Sequence, residues 1–213
     1  VGRYCLDELL RSTSYGSVVV LARRPLGRNH EKLDARIVEF RTLDRDGRAI
    51  AADDAFCCLG TTLRQAGSRD AFRRVDFEYV LAFARYARRA GARRFIVVSA
   101  LGADRRARMF YSRVKGEAEE ALRRLGFESL VILRPSLLLG PRHPPRTGER
   151  VAAVAARIAR PLMIGWLRRY RPIHARAVAR AMIVLASREW TGAMIVESEN
   201  IDAAAATWTG DGG

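Results

Sequence analysis

The sequence predicts an α/β domain built on a doubly wound parallel sheet with helices on both faces. Three observations predict it. Short runs of β-branched and aromatic residues alternate with longer stretches of helical apolar period. The stretch FIVVSALGADRRARMFYSRVK, Phe95 to Lys115, joins one such strand to one such helix and gathers reactive side chains at their junction. The 213 residues suit one domain, 1–213, that can bury a full core, and no internal repeat divides it.

The elements follow in order. Val1 to about Arg11 is apolar at Val1, Cys5, Leu6, Leu9 and Leu10, a helical period. Ser17–Ala22 reads as a strand ending in Arg23-Arg24-Pro25, and Gly27–Asp34 as a polar connection. Ala35–Phe40 reads as a short strand. Within the polar stretch Arg41–Asp54, Asp46-Gly47 marks a turn and Ala49–Ala52 a short helix. Ala55–Leu59 is a buried strand followed by Gly60-Thr61-Thr62. Ser68–Ala90 is the longest helix, with Phe72, Val75, Val80, Phe83, Ala84 and Ala87 as its apolar stripe and Gly91 as its stop.

After the strand Phe95–Ser99, the next helix turns Phe110, Val114, Ala118, Ala121 and Leu125 to the core, and Gly126 ends it. Ser129–Leu133 is a strand leading into Arg134-Pro135-Ser136. A lid is expected over about 137–175. It comprises a Pro/Gly-rich loop at Gly140–Gly148, a helix over Val151–Ile164 and a basic aromatic segment, Trp166–Ile173. His174–Ser187 is an amphipathic helix and Met194–Val196 a last strand. Ala203–Gly213 is low in complexity and expected to be frayed.

Composition excludes several classes. No apolar run approaches the about 18 residues that span a bilayer, so no membrane partner is expected. The net charge of +15 is spread over every segment rather than gathered in one arm. It reads as solvated faces, with no specific nucleic-acid site. Cys5, Cys57 and Cys58 fit neither a disulfide framework nor a metal-site spacing, and the three histidines form no ligand pattern. No metal is expected, and a reducing cytoplasm is the expected compartment. Cys57 and Cys58, adjacent on a strand, should face opposite sides.

The chemistry concentrates at Ser99, Tyr111 and Lys115. Residues four apart share a helix face, so phenol and ammonium project together beside the strand end that holds Ser99. Such a trio suits proton transfer to or from a carbonyl or alcohol. Tyr111 is the acid/base, Lys115 lowers its pKa by charge, and Ser99 hydrogen-bonds the reacting oxygen. An ordinary surface Tyr/Lys pair is the bland alternative. Against it, Lys115 is one of only two lysines among 38 basic residues. Arginine is bulkier and does not give up its proton.

Four blocks carry a family resemblance: FCCLGTT at Phe56–Thr62, VVSALGA at Val97–Ala103, FYSRVKGEAE at Phe110–Glu119 and LRPSLLLG at Leu133–Gly140. Through them the chain resembles the short-chain dehydrogenase/reductases. It is most similar to the atypical branch of Tat-interacting-protein-like NAD(P)H-binding oxidoreductases, from Val1 to about Glu197. The resemblance implies a Rossmann-like sheet and a nicotinamide dinucleotide. The implied cofactor contacts are Gly2, Arg23, Arg24, Leu59, Gly60, Thr61, Tyr111, Lys115, Arg134 and Pro135. Arginines at the end of the second strand suit the 2′-phosphate of NADP, where an acidic residue would suit NAD. Gly2 matches the third glycine of GxxGxxG. The first two glycines and the central strand before them are absent from the given chain, so either it is a fragment or another segment fills that slot.

The leading reading is therefore an NADP-dependent oxidoreductase acting on a small, anionic substrate. An NADPH-binding regulatory protein without turnover is the alternative. A nucleotide-sugar epimerase ranks third, because the short lid leaves little room for a sugar nucleotide. The arginines that would rim the pocket are Arg142, Arg146, Arg150, Arg168, Arg169 and Arg171. Oligomeric state is not legible.

Overall fold

The computed structural model describes residues 1–45, 49–139 and 165–209. The Asp46–Gly47 turn, the Gly140–Gly148 loop with Arg142 and Arg146, Arg150, the Val151–Ile164 helix and the last residues of the tail lie outside them.

Helix α1 (Gly2–Arg11) opens the chain. Strands β1 (Val18–Ala22) and β2 (Leu33–Ile37) pair in parallel, Val18 opposite Leu33. Strands β3 (Asp54–Cys57), β4 (Arg94–Val98), β5 (Ser129–Arg134) and β8 (Gly192–Glu197) form a parallel sheet in that order. A two-residue pair, β6 (Leu138–Leu139) with β7 (Ile173–His174), stands apart. The strands of the main sheet are near-continuous apolar runs because helices cover both faces. On one face α1 packs with α6 (Ala175–Ser187) and α7 (Ser198–Ala206) over Ile96, Val131 and Leu133. On the other, α4 (Tyr79–Arg89) and α5 (Phe110–Arg123) pack over Phe95, Val97 and Ile132. Phe95 stacks on Phe127 with ring centroids 4.8 Å apart. Burying each such side chain contributes about 1.5–3 kcal/mol.

The break between β1 and β3 is the main departure from a continuous sheet. Among the described residues β1 pairs only with β2, and β3 only with β4. Between them lies a cavity of about 1070 Å³, lined by Val18–Leu21 of β1, Asp54–Cys57 of β3 and Cys5, Leu6 and Leu9 of α1. Two parallel strands thus turn unpaired edges to one largely apolar space. No described segment occupies it.

Several local expectations are corrected. The strand expected at Ala35–Phe40 runs instead over Leu33–Ile37, because Phe40 leaves the ladder to pack with Leu43 and Tyr86. Ala49–Ala52 is not helical. It is an extended link, with the Ile50 N–H donating to the Tyr86 hydroxyl at 3.0 Å and the Ala52 N–H to the Ala90 carbonyl at 3.1 Å. A short helix not foreseen, α2 (Leu63–Ala66), is capped by Thr62, whose hydroxyl accepts from the Gln65 N–H. The long helix is three pieces: α3 (Arg69–Arg73), a π-helical turn Arg74–Glu78, and α4. The segment Ala203–Ala206 is not frayed. It completes α7, since alanine has the highest helix propensity and Ile201 and Ala204 are buried. Beyond it the Trp208 indole N–H donates to buried Glu8 at 3.0 Å.

Candidate active site

The site lies along the carboxyl ends of β3, β4 and β5, where ligands bind in open parallel sheets. Helix α5 delivers three side chains one turn apart: Tyr111, Lys115 and Glu119. Lys115 and Glu119 are buried and Tyr111 is half-buried. The Tyr111 ring leans on Phe72 of α3, centroids 5.3 Å apart. Lys115 Nζ lies 2.8 Å from Asp76 Oδ1, and the other Asp76 oxygen accepts the Thr61 N–H at 2.8 Å. Loop Gly60–Thr61 therefore meets Lys115 through one carboxylate. Gly60 borders it closely: a Cβ there would sit 3.4 Å from Asp76 Oδ1 and 3.7 Å from Lys115 Nζ.

Electrostatics at Tyr111 oppose one another. Burial pushes the phenol above its ordinary value. Lys115 pulls it down and Asp76 pushes it up, and burial prevails. The charge of Lys115 acts in the expected direction but does not by itself bring the phenol below its ordinary value.

Ser99 sits at the strand end as expected, with its N–H paired to the Leu133 carbonyl at 2.7 Å. Its hydroxyl is committed elsewhere, donating to Glu119 Oε1 at 2.5 Å. Arg134 grips the same carboxylate with two nitrogens, Nε at 3.0 Å and Nη2 at 2.7 Å, and reaches Glu197 at 3.2 Å. Ser99, Glu119, Arg134 and Glu197 thus form one bonded cluster joining β4, α5, β5 and β8. Both Ser99 and Arg134 are held in it, rather than left open toward a reacting oxygen or a cofactor. The Pro135 carbonyl accepts the Leu101 N–H at 3.0 Å, which keeps the loop after β4 against the end of β5.

The other expected contacts are dispersed around the slot. Gly2 begins α1 where a Cβ would meet Cys58 Cβ at 3.3 Å, so the helix approaches β3 closely. Arg23 and Arg24 are exposed just past β1, with no carboxylate partner among the described residues. Leu59 packs at the edge of the α4–α5 core. Cys57 and Cys58 do face opposite sides, one in each core. Burial pushes the Cys57 thiol up to about 12, which keeps it neutral.

Sequence reading missed Asp76, Glu119 and Gly116. The first two had a signal. Asp76 falls on the Phe72–Asp76–Val80 line of a buried stripe, and Glu119 one turn beyond Lys115, so each is a carboxylate spaced to be buried. Gly116 had none. A Cβ there would overlap the main chain of Asp104 and Arg105. In an ordinary helix Gly→Ala gains up to about 1 kcal/mol. Here the obstacle is backbone, which cannot swing aside, so Gly116→Ala should instead destabilise by about 2 kcal/mol. Chemical denaturation checks the sign.

Residues 1–164 match a family model described as NAD(P)H-binding. The chain belongs to this NAD(P)H-binding family. Protein HTATIP2 of Rattus norvegicus is 38% identical over 155 residues, covering 71% of this chain and 64% of that protein. The chain thus spans a little under two thirds of the rat relative. Protein FMP52, mitochondrial, of Eremothecium gossypii is 32% identical over 203 residues, covering 94% of this chain and 90% of that protein. Among solved structures, MoeE5 in complex with UDP-glucose and NAD superposes with a TM-score of 0.66 at 19% identity, covering 98% of this chain and 78% of that one. The UDP-glucose 4-epimerase of Thermotoga maritima does so with a TM-score of 0.66 at 15% identity, covering 92% and 73%. At these identities the structures establish the Rossmann-like α/β fold that the sequence predicted. The family membership bears out the resemblance to atypical NAD(P)H-binding short-chain oxidoreductases.

The family also corrects the compartment. The fungal relatives in Eremothecium gossypii, Emericella nidulans and Aspergillus oryzae are mitochondrial by name, which overturns the cytoplasmic assignment. Reduced cysteines do not distinguish the cytoplasm from an organelle interior.

Proposed function

We propose that the protein is an NADP-dependent oxidoreductase interconverting a carbonyl and an alcohol on a small, anionic substrate. The observation that carries this is the buried ion pair of Lys115 and Asp76, tied to Thr61 on the cofactor-side loop and set on the helix face that bears Tyr111. When bound, the nicotinamide supplies the hydride chemistry. Tyr111 gives its phenolic proton to the substrate oxygen, or takes one in the reverse direction. A phenol raised by burial is protonated at neutral pH, ready to donate for reduction. Lys115 steadies the phenolate that forms. Ser99 acts through Glu119, anchoring α5 to the end of β4, and the exposed Arg168 and Arg169 favour a negative substrate.

The donor set suits the cofactor at both ends. Gly60 leaves space beside Lys115, and Arg23 and Arg24, exposed and without a carboxylate partner among the described residues, can take a phosphate. NADPH should therefore bind more tightly than NADH. Replacing both Arg23 and Arg24 by alanine should weaken NADPH about tenfold or more and leave NADH nearly unchanged, since charge-assisted bonds are the strong ones. Fluorescence titration with both cofactors decides it, and equal affinities would sink NADP specificity.

Two other readings keep a specific basis. The likeness in fold to MoeE5 and to a UDP-glucose epimerase favours a nucleotide-sugar isomerase, though only at the level of fold. A regulatory NADPH binder requires no proton transfer, so loss of turnover on changing Tyr111 separates it from the enzyme.

A further inference from the structure

We propose that Asp76 is the positioning residue of the proton-transfer pair: it fixes the Lys115 ammonium against the loop Gly60–Thr61, so that Lys115 acts on Tyr111 from one set place. The proposal rests on the roles given above to Tyr111 and Lys115.

Asp76 lies in the π-helical turn Arg74–Glu78. Such turns are rare and frequent at functional sites. The carboxylate is wholly buried and the ammonium nearly so. One carboxylate oxygen is anchored by the Thr61 N–H. The other faces Lys115 at 2.8 Å but receives no well-directed hydrogen bond. The ammonium is thus held beside the carboxylate by charge. A purely structural ion pair would be expected to satisfy both oxygens, because buried polar atoms without partners are costly.

Two charges bear on the phenol from the elements around it: Lys115 from α5 and Asp76 from the π turn. Phe72 of α3 contributes an apolar wall. Cys57 of β3, near Asp76 and Lys115, stays neutral because burial pushes it up to about 12. A negative charge near a phenol disfavours the phenolate. Removing that charge, while keeping an oxygen for the Thr61 N–H, favours the phenolate directly, but it also releases Lys115, whose pull on the phenol then weakens. Asp76→Asn does this with almost no change of shape.

The test is an ultraviolet tyrosinate titration of the full chain, comparing K115Q with its parent in the wild-type and the D76N backgrounds, each with and without Y111F. The difference on adding Y111F isolates Tyr111. The expected result is that K115Q raises the Tyr111 midpoint in the wild-type background and leaves it nearly unchanged in the D76N background, where Lys115 has lost its anchor, with the pH profile of turnover following. An equal rise in both backgrounds would overturn the proposal. Should D76N fold poorly, D76N/K115Q removes both charges. Thermal unfolding above that of D76N alone would support the pairing, and no recovery would overturn it. A rise confined to the wild-type background, with full turnover in Y111F, would instead leave the positioning intact and remove the oxidoreductase reading.

Discussion

Tyr111→Phe should cut turnover by on the order of a hundredfold or more, the loss expected for a general acid, while cofactor affinity stays nearly intact. The separation follows from the geometry. Phenylalanine keeps the ring that leans on Phe72, so α3 and α5 remain in register and only the hydroxyl is lost. Lys115→Arg should also be poorly tolerated, although charge is preserved. Lys115 Nζ sits 2.8 Å from a buried carboxylate and is itself nearly buried. A planar guanidinium needs more room and cannot serve as the same compact charge. Steady-state kinetics on an identified substrate, with parallel cofactor titration, make the measurement. Full turnover in Tyr111→Phe would remove Tyr111 from the mechanism.

The second large effect concerns the slot between β1 and β3. Joining a strand and a GxxG turn ahead of Val1 should raise the thermal midpoint by about 10 °C or more and tighten dinucleotide binding at least about tenfold. Five buried strand residues gain about 5 kcal/mol after the cost of ordering them. In a domain of this size that corresponds to such a shift. The new turn would bring backbone N–H groups to the start of α1, where a pyrophosphate is best held. Residues 1–213 alone should bind dinucleotide weakly, and the facing edges of Val18–Ala22 and Asp54–Cys57 should favour self-association. Calorimetric melting, cofactor titration and sedimentation of both forms test this. A monomeric, cooperatively melting 1–213 chain with micromolar affinity for NADPH would refute it.

The sequence by itself determined the layered α/β architecture and the family. Both are written in local patterns. Phe95–Val98 must be buried on two faces, and the spacing of Tyr111 and Lys115 puts them on one face of any helix. The expectation of an unfilled slot beside β3 meets a cavity between β1 and β3. What only the tertiary structure decided were contacts between residues far apart in the chain. Ser99 looked free for a substrate oxygen because nothing near it in sequence competes for its hydroxyl. Folding brings Glu119 to it, and Arg134 and Glu197 to Glu119. Asp76 lies on the buried line of Phe72 and Val80, but only folding shows that Lys115 of α5 and the Thr61 N–H meet it there. Periodicity reports which face a side chain takes. Which partner meets it there depends on the packing of elements whose separation in sequence carries no such signal.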